Sequence, residues 1–230
     1  MTEPVHHRYA VYYAPAPGSV WCDAGSRWLG RSARDGGPDA AMLDAATVVP
    51  RRYGWHATLK APFALRDGHG LQMLRSALRR LAAQLQPVPL PALRVRLLGD
   101  FLALVPQGDT TAIDRIAAAC VTELQPLAAP LDELELQRRR KAGLSASEDA
   151  MLLAWGYPYV LAHYRFHMTL TGPLRDLPAP LRADLQAAAE RAFHGLPHTG
   201  LDSLSLFAEP APGADFVLLE QFALGTACPT

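Results

Sequence analysis

The sequence predicts an α+β fold built from largely antiparallel sheet with helices laid on one face, and three observations point to it. Short runs with period-2 alternation are separated throughout by helical stripes. Each half of the chain follows the order strand, helix, strand, turn, strand. The offsets also agree: 43 residues separate His56 from the turn at Gly99, and 43 separate His167 from the turn opening at Pro210. The intervening residues are dissimilar, so what repeats is the architecture.

Taken in order, Tyr9 to Ala14 reads as a β-prone run closed by Pro15, Pro17 and Gly18, and Trp55 to Leu65 as a second, fraying near Pro62. Residues 15–50 read as irregular, with a brief helix around Ala40 to Ala46. Leu71, Leu74, Leu78, Leu81 and Leu85 recur at steps of three and four and mark an amphipathic helix. Leu93, Val95 and Leu97 alternate with arginines, and Phe101 to Val105 returns after Gly99-Asp100 as a hairpin arm. Ile113, Ile116, Cys120, Leu124 and Leu127 give another helical stripe. An exposed irregular connector follows, roughly 127–145. A helix over 146–155 is predicted from the Ser145/Glu148 capping box and Gly156. Tyr164 to Leu170 reads as a strand, Leu181 to Ala192 as a helix, and Leu201 to Ala208 with Asp215 to Leu224 as a second hairpin. The chain is thus expected to be one bilobal domain, with lobe one at about 1–126 and lobe two at about 146–230.

With 230 residues, 22 Lys plus Arg against 22 Asp plus Glu and a formal charge of zero, an electrostatically driven polynucleotide or anionic-membrane binder is disfavoured. The start, Met1 to Arg8, shows no basic segment followed by an apolar one, and Met151 to Tyr164 is too short to span a bilayer. Cys22, Cys120 and Cys228 are widely spaced, which fits reduced thiols better than a disulfide framework or zinc site. These readings give a cytoplasmic protein. They leave its oligomeric state open.

The chemistry rests on one word that occurs twice. His56-Ala57-Thr58-Leu59 and His167-Met168-Thr169-Leu170 are both His-x-Thr-Leu, and each falls in a predicted strand. Residues two apart in a strand share a face, so His56, Thr58 and Lys60 are expected together, as are Arg165, His167, Thr169 and Thr171. Two such faces related by a pseudo-twofold axis would meet across a cleft. Paired imidazoles suit cleavage of a cyclic phosphodiester: one takes a proton from water while the other gives one to the leaving oxygen. Thr58, Thr169 and Thr171 are candidate phosphate contacts, and Lys60 and Arg165 candidate counter-charges. No metal or cofactor is required, since the motif's face supplies cations where a metal site would want acids or thiols. A single His in a strand is ordinarily a packed structural residue. The repeat of the whole word on matching strands is what weighs against that. The basic run Arg138, Arg139, Arg140 and Lys141 reads as a solvated connector, with the alternative that it acts as a lid over an anionic substrate.

The two His-x-Thr words on a chain of this plan resemble the 2H phosphoesterase superfamily. More narrowly, Arg51 to Phe63, Ser26 to Gly30, Arg138 to Leu144 and Trp155 to Leu170 resemble the DUF1045 family of phosphonate metabolism proteins, encoded beside carbon–phosphorus lyase genes. The resemblance covers nearly the whole chain. It implies two pseudo-symmetric lobes with helices on their outer faces around a central cleft, a catalytic pair at His56 and His167, and phosphate hydroxyls at Thr58 and Thr169. Lys60, Arg165, Arg138 and Arg139 match the narrower family, where they would hold substrate. Family context implies a small phosphorylated substrate such as 5-phosphoribosyl 1,2-cyclic phosphate. Two other readings stand beside it: an RNA 2',3'-cyclic phosphodiesterase, which zero net charge disfavours, and a protein that only binds a phosphorylated metabolite.

Overall fold

A computed structural model describes residues 6–30, 40–141 and 143–226. The expectations drawn on the first five residues and on Cys228 lie outside the described residues. Seven strands form one antiparallel sheet in the order β4-β5-β6-β2-β1-β8-β9, and a two-stranded ribbon pairs β3 with β7. The strands are β1 (Arg8–Tyr13), β2 (Ala57–Phe63), β3 (Val88–Pro89), β4 (Leu93–Leu98), β5 (Phe101–Pro106), β6 (Met168–Thr169), β7 (Gly200–Leu201), β8 (Ser203–Glu209) and β9 (Val217–Ala223). The helices are α1 (Val20–Trp28), α2 (Ala40–Arg51), α3 (Leu71–Gln84), α4 (Thr111–Leu124), α5 (Glu133–Arg140), α6 (Ala146–Trp155) and α7 (Ala179–Ala192). None of the described helices is long and apolar enough to cross a membrane.

The two halves are interlocked. The β4–β5 hairpin, from the first half, pairs with β6 of the second, while the β8–β9 hairpin of the second half pairs with β1 of the first. Strands β2 and β6 meet at the centre, with Ala57 opposite Met168. The large core lies on one face of this sheet. Tyr9, Val11, Leu59, Leu102, Leu104, Met168, Leu170 and Leu206 point into it, covered by Leu74, Leu78 and Leu81 of α3, Ile113, Ile116 and Leu124 of α4, and Leu185 of α7. The periodic leucines that predicted α3 are these buried contacts. On the other face, Ala10, Tyr12, Phe207 and Phe216 form a smaller apolar cluster with Tyr53 against it.

Three stretches differ from the sequence reading. Within 15–50, α1 forms behind an N-cap in which Ser19 Oγ accepts from the Cys22 N–H, and α2 runs to Arg51 with Pro50 in its last turn. The connector is helical over α5, capped by Asp132, whose carboxylate accepts from the Glu135 N–H. The expected strand over Tyr164 to Leu170 shrinks to Met168–Thr169, because a short 3-10 turn at Leu161–His163 precedes it, entered at Leu161 with φ 52°. Helix α6 has the capping box and the left-handed Gly156 (φ 75°) that its sequence predicted.

Candidate active site

The repeated word comes together at the sheet's centre. Continuing the Ala57–Met168 register by one residue each way sets Thr58 beside His167 and His56 beside Thr169. The histidines are therefore diagonal neighbours on paired strands, a relation that separates side-chain roots by roughly 7–8 Å. Sequence reasoning expected them on two walls facing each other. The structure sets them side by side, because β2 and β6 belong to one sheet. All four side chains line a single open cleft of about 440 Å³, within the range of small-molecule sites (roughly 300–1,000 Å³).

Both imidazoles are held in the same way. His56 Nδ1 lies 2.8 Å from the Gly54 carbonyl oxygen, and His167 Nδ1 lies 2.8 Å from that of Arg165. A carbonyl only accepts, so each ring in its neutral state carries its proton on Nδ1 and leaves the Nε2 lone pair for chemistry. Thr58 Oγ1 sits 3.4 Å from His56 Nε2. Gly54 adopts φ 77°, a left-handed backbone that side chains resist, and so aims its carbonyl at the ring two residues on. Tyr12 stacks on His56, with centroids 3.9 Å apart and planes at 28°. Phe101 lies tilted against His167 at 5.7 Å. Burial disfavours the imidazolium of His167 and lowers its pKa from the ordinary value, an effect the carbonyl bond at Nδ1 only partly offsets.

Supports for each word come from elsewhere in the chain. The Tyr164 hydroxyl donates to the Thr58 carbonyl at 3.0 Å, and the Trp28 indole N–H donates to the Leu170 carbonyl at 2.8 Å. Trp55, beside His56, lies directly on Gly25 of α1, where a Cβ would come within 2.1 Å of the indole. That helix was absent from the sequence reading, although Ser19 as an N-cap was its available signal.

Among the other predicted residues, Lys60 is the clear departure. In the β1–β2 ladder Tyr12 pairs with Thr58 but Val11 pairs with Lys60, so Leu59 is an extra residue on β2 and forms a bulge. Alternation breaks there. Lys60 turns with Leu59 to the helix-covered face, 3% exposed, and its Nζ donates to Gln125 Oε1 at 2.9 Å and the Val121 carbonyl at 3.3 Å. Burial lowers its pKa to about 8. Lys60 thus does not share a face with His56 and Thr58, and no cleft contact remains for it.

Arg165 is exposed and lines an adjoining cavity of about 570 Å³ that shares Thr58, Phe101, Tyr157 and His167 with the first. Thr171 lines the cleft, but its Oγ1 accepts from the Leu102 N–H at 3.0 Å, which ties it to β5. Arg138 and Arg139 reach the cleft edge from α5, both paired with Glu135. Arg139 also donates to the Gly156 carbonyl at 2.7 Å. One lining residue that sequence reasoning missed is Arg8, which shares the Tyr12 face of β1. Its signal was the same alternation, read one strand earlier.

A 41% identical stretch of 222 residues, 91% of this chain, matches a protein of Janthinobacterium sp. (strain Marseille) named ribose 1,5-bisphosphate phosphokinase PhnN. A protein of the same name from Laribacter hongkongensis (strain HLHK9) is 39% identical over 217 residues, 92% of this chain. The chain spans about half the length of these relatives, 49% and 50% respectively. It holds no G-x-x-x-x-G-K-[ST] phosphate loop. A crystal structure of E. coli LigT complexed with NADP+ aligns with 98% of this chain and 100% of its own, at 14% identity and TM-score 0.42. The family described as "protein of unknown function (DUF1045)" matches residues 58–217, some two thirds of the chain and the larger part of the cleft, and to that family the chain belongs.

Proposed function

We propose that the chain is a metal-independent cyclic phosphodiesterase of the 2H type, acting on a small sugar cyclic phosphate. The observation that carries the reading is the pair of His-x-Thr words on adjoining strands with both Nδ1 atoms tied to backbone carbonyls. In this reading a water attacks phosphorus as His167 Nε2 takes its proton, while protonated His56 gives a proton to the departing sugar oxygen. The depressed pKa of His167 favours the base role there, since a base must be unprotonated to act. Thr58 and Thr169 donate to the non-bridging oxygens, where negative charge gathers. Among the described residues no three His, Cys, Asp or Glu side chains converge as metal ligands.

The candidate substrate is 5-phosphoribosyl 1,2-cyclic phosphate. Water adding to its cyclic phosphorus with cleavage of the bond to O2 leaves the phosphate on O1 and yields ribose 1,5-bisphosphate. That product is the compound named as substrate in the relatives, of which this chain matches about half. Incubation with this substrate, with 2',3'-cyclic nucleotides and with RNA ending in a cyclic phosphate, all in the presence of chelator, tests the reading. Turnover of the sugar phosphate is expected, with His56→Ala and His167→Ala each lowering kcat by about 10²- to 10⁴-fold. Near wild-type turnover in either variant would overturn the paired mechanism, and silence on every substrate would favour binding alone.

A further inference from the structure

The cleft extends past the histidines to an end that the chemistry of ring opening does not use. Arg8 stands on β1 four residues from Tyr12, on the same face, about 13 Å along the strand at about 3.3 Å per residue. Across the sheet it pairs with Glu209 of β8, whose carboxylate is fully buried. Arg8 Nε donates to Glu209 Oε2 at 2.5 Å, and Arg52 donates to the other oxygen of the same carboxylate. Glu209 also accepts from the Gly213 N–H at 2.8 Å. The carboxylate is therefore saturated, and it fixes the Arg8 fork by its inner edge. The terminal amines of Arg8 have no bond among the described residues.

Elsewhere in the lining of the cleft, α5 repeats this arrangement. Arg138 and Arg139 share Glu135, with contacts of 2.6 and 2.8 Å. Each cluster thus has two guanidiniums on one carboxylate, leaving one positive charge in excess. Arg8, Arg138 and Arg139 all line this one cleft. Tyr12 and Tyr157 line the same cleft as Arg8 and Arg138, and neither hydroxyl has a hydrogen-bond partner among the described residues. Tyr12 is 1% exposed.

Two excess positive charges around unpartnered hydroxyl donors match one phosphate monoester, which carries about −1.5 to −2 at neutral pH and accepts through three oxygens. We propose that this end of the cleft, formed by Arg8, Arg138, Tyr12 and Tyr157, is a binding subsite for a terminal phosphate monoester of the substrate, with Arg8 as its specificity-determining residue. Arg139, bound on Glu135 and on the Gly156 carbonyl, positions α5. This inference rests on the phosphodiesterase reading for the reacting end only. The subsite itself binds whether or not turnover occurs.

Two measurements separate those possibilities. Calorimetric titration with ribose 5-phosphate, which has the terminal phosphate and no cyclic one, is expected to give one site per chain. Arg8→Gln should weaken it about 10- to 100-fold and Arg138→Gln less. Because Arg8→Gln takes one partner from a buried carboxylate, the double variant Arg8→Gln/Glu209→Gln supplies the same comparison in a chain without that orphaned charge. In kinetics, selectivity for 5-phosphoribosyl 1,2-cyclic phosphate over the unphosphorylated ribose 1,2-cyclic phosphate should collapse in the Arg8 variants, chiefly through KM. Ribose 5-phosphate binding that survives loss of Arg8 would overturn the subsite. Absence of turnover with intact, Arg8-dependent binding would instead overturn the phosphodiesterase reading.

Discussion

The protonation of His167 is set by what surrounds one ring. Phe101 packs at 5.7 Å and burial lowers the pKa, so the base reading makes kcat/KM fall only as pH drops through a value below the ordinary imidazole pKa of about 6.5. Phe101→Ala admits water to the ring and should move this acidic limb upward, toward 6.5, with little change on the alkaline side. A pH–rate profile of the two proteins reads the shift; an unmoved limb would mean that another group titrates there. At the same scale, the Nδ1 bonds to Gly54 and Arg165 were not readable from composition. They depend on the backbone turning immediately before each strand, at Gly54 through its positive φ.

Strand β2 shows where alternation as a rule runs out. His56 and Thr58 reach the cleft as the period-2 reading expects, whereas Lys60, two residues further on, is carried to the opposite face by the bulge at Leu59. A bulge has no dependable mark in local sequence, since it is a property of how two strands share their hydrogen bonds. Helices show the same contrast. The five-leucine stripe of α3 and the capping box of α6 were legible because burial periodicity and capping are local. Helix α5 buries no residue and has no apolar stripe to announce it. Its stability comes from the Asp132 cap and from Arg138 and Arg139 each pairing with Glu135 one turn back. Lys60 in its buried setting carries a cost with a definite sign. Its pKa is about 8 in the fold against 10.5 in the free side chain, a difference worth roughly 3 kcal/mol. Between those values the unfolded chain still holds a proton that the folded chain has released, so this group makes stability rise with pH across that window. Lys60→Met should therefore be at least as stable as the parent at pH 7, allowing for the donor that Gln125 loses. It should also abolish the rise between pH 8 and 10.5, as urea melts at several pH values would show. A variant that loses stability by several kcal/mol at pH 7 would mean that the hydrogen bonds outweigh the burial.

At the level of the whole chain, the seven strands of the main sheet were foreseeable in order, but the β3–β7 ribbon, helices α1 and α5, and the exchange of hairpins between halves were not. Pairing partners as far apart as Ala103 and Thr169, or Arg8 and Glu209, leave no local trace, and both arrangements bury the same apolar faces. The exchange has a measurable result. Residues 1–141 produced alone would leave β1 without β8, and residues 142–230 alone would leave β6 without β5. Neither piece should give dispersed amide resonances in NMR, while co-expression of the two should restore both dispersion and activity. An independently folded half would contradict the interlocked sheet. The same feature bears on synthesis. Because β1 leaves the ribosome well before β8, a nascent chain holds an open strand edge from the synthesis of one to that of the other, when association with a neighbouring copy is most dangerous. Arg8, at the outset of that edge, places a charge on it until Glu209 emerges, so one side chain serves as a guard before it becomes part of the finished cleft.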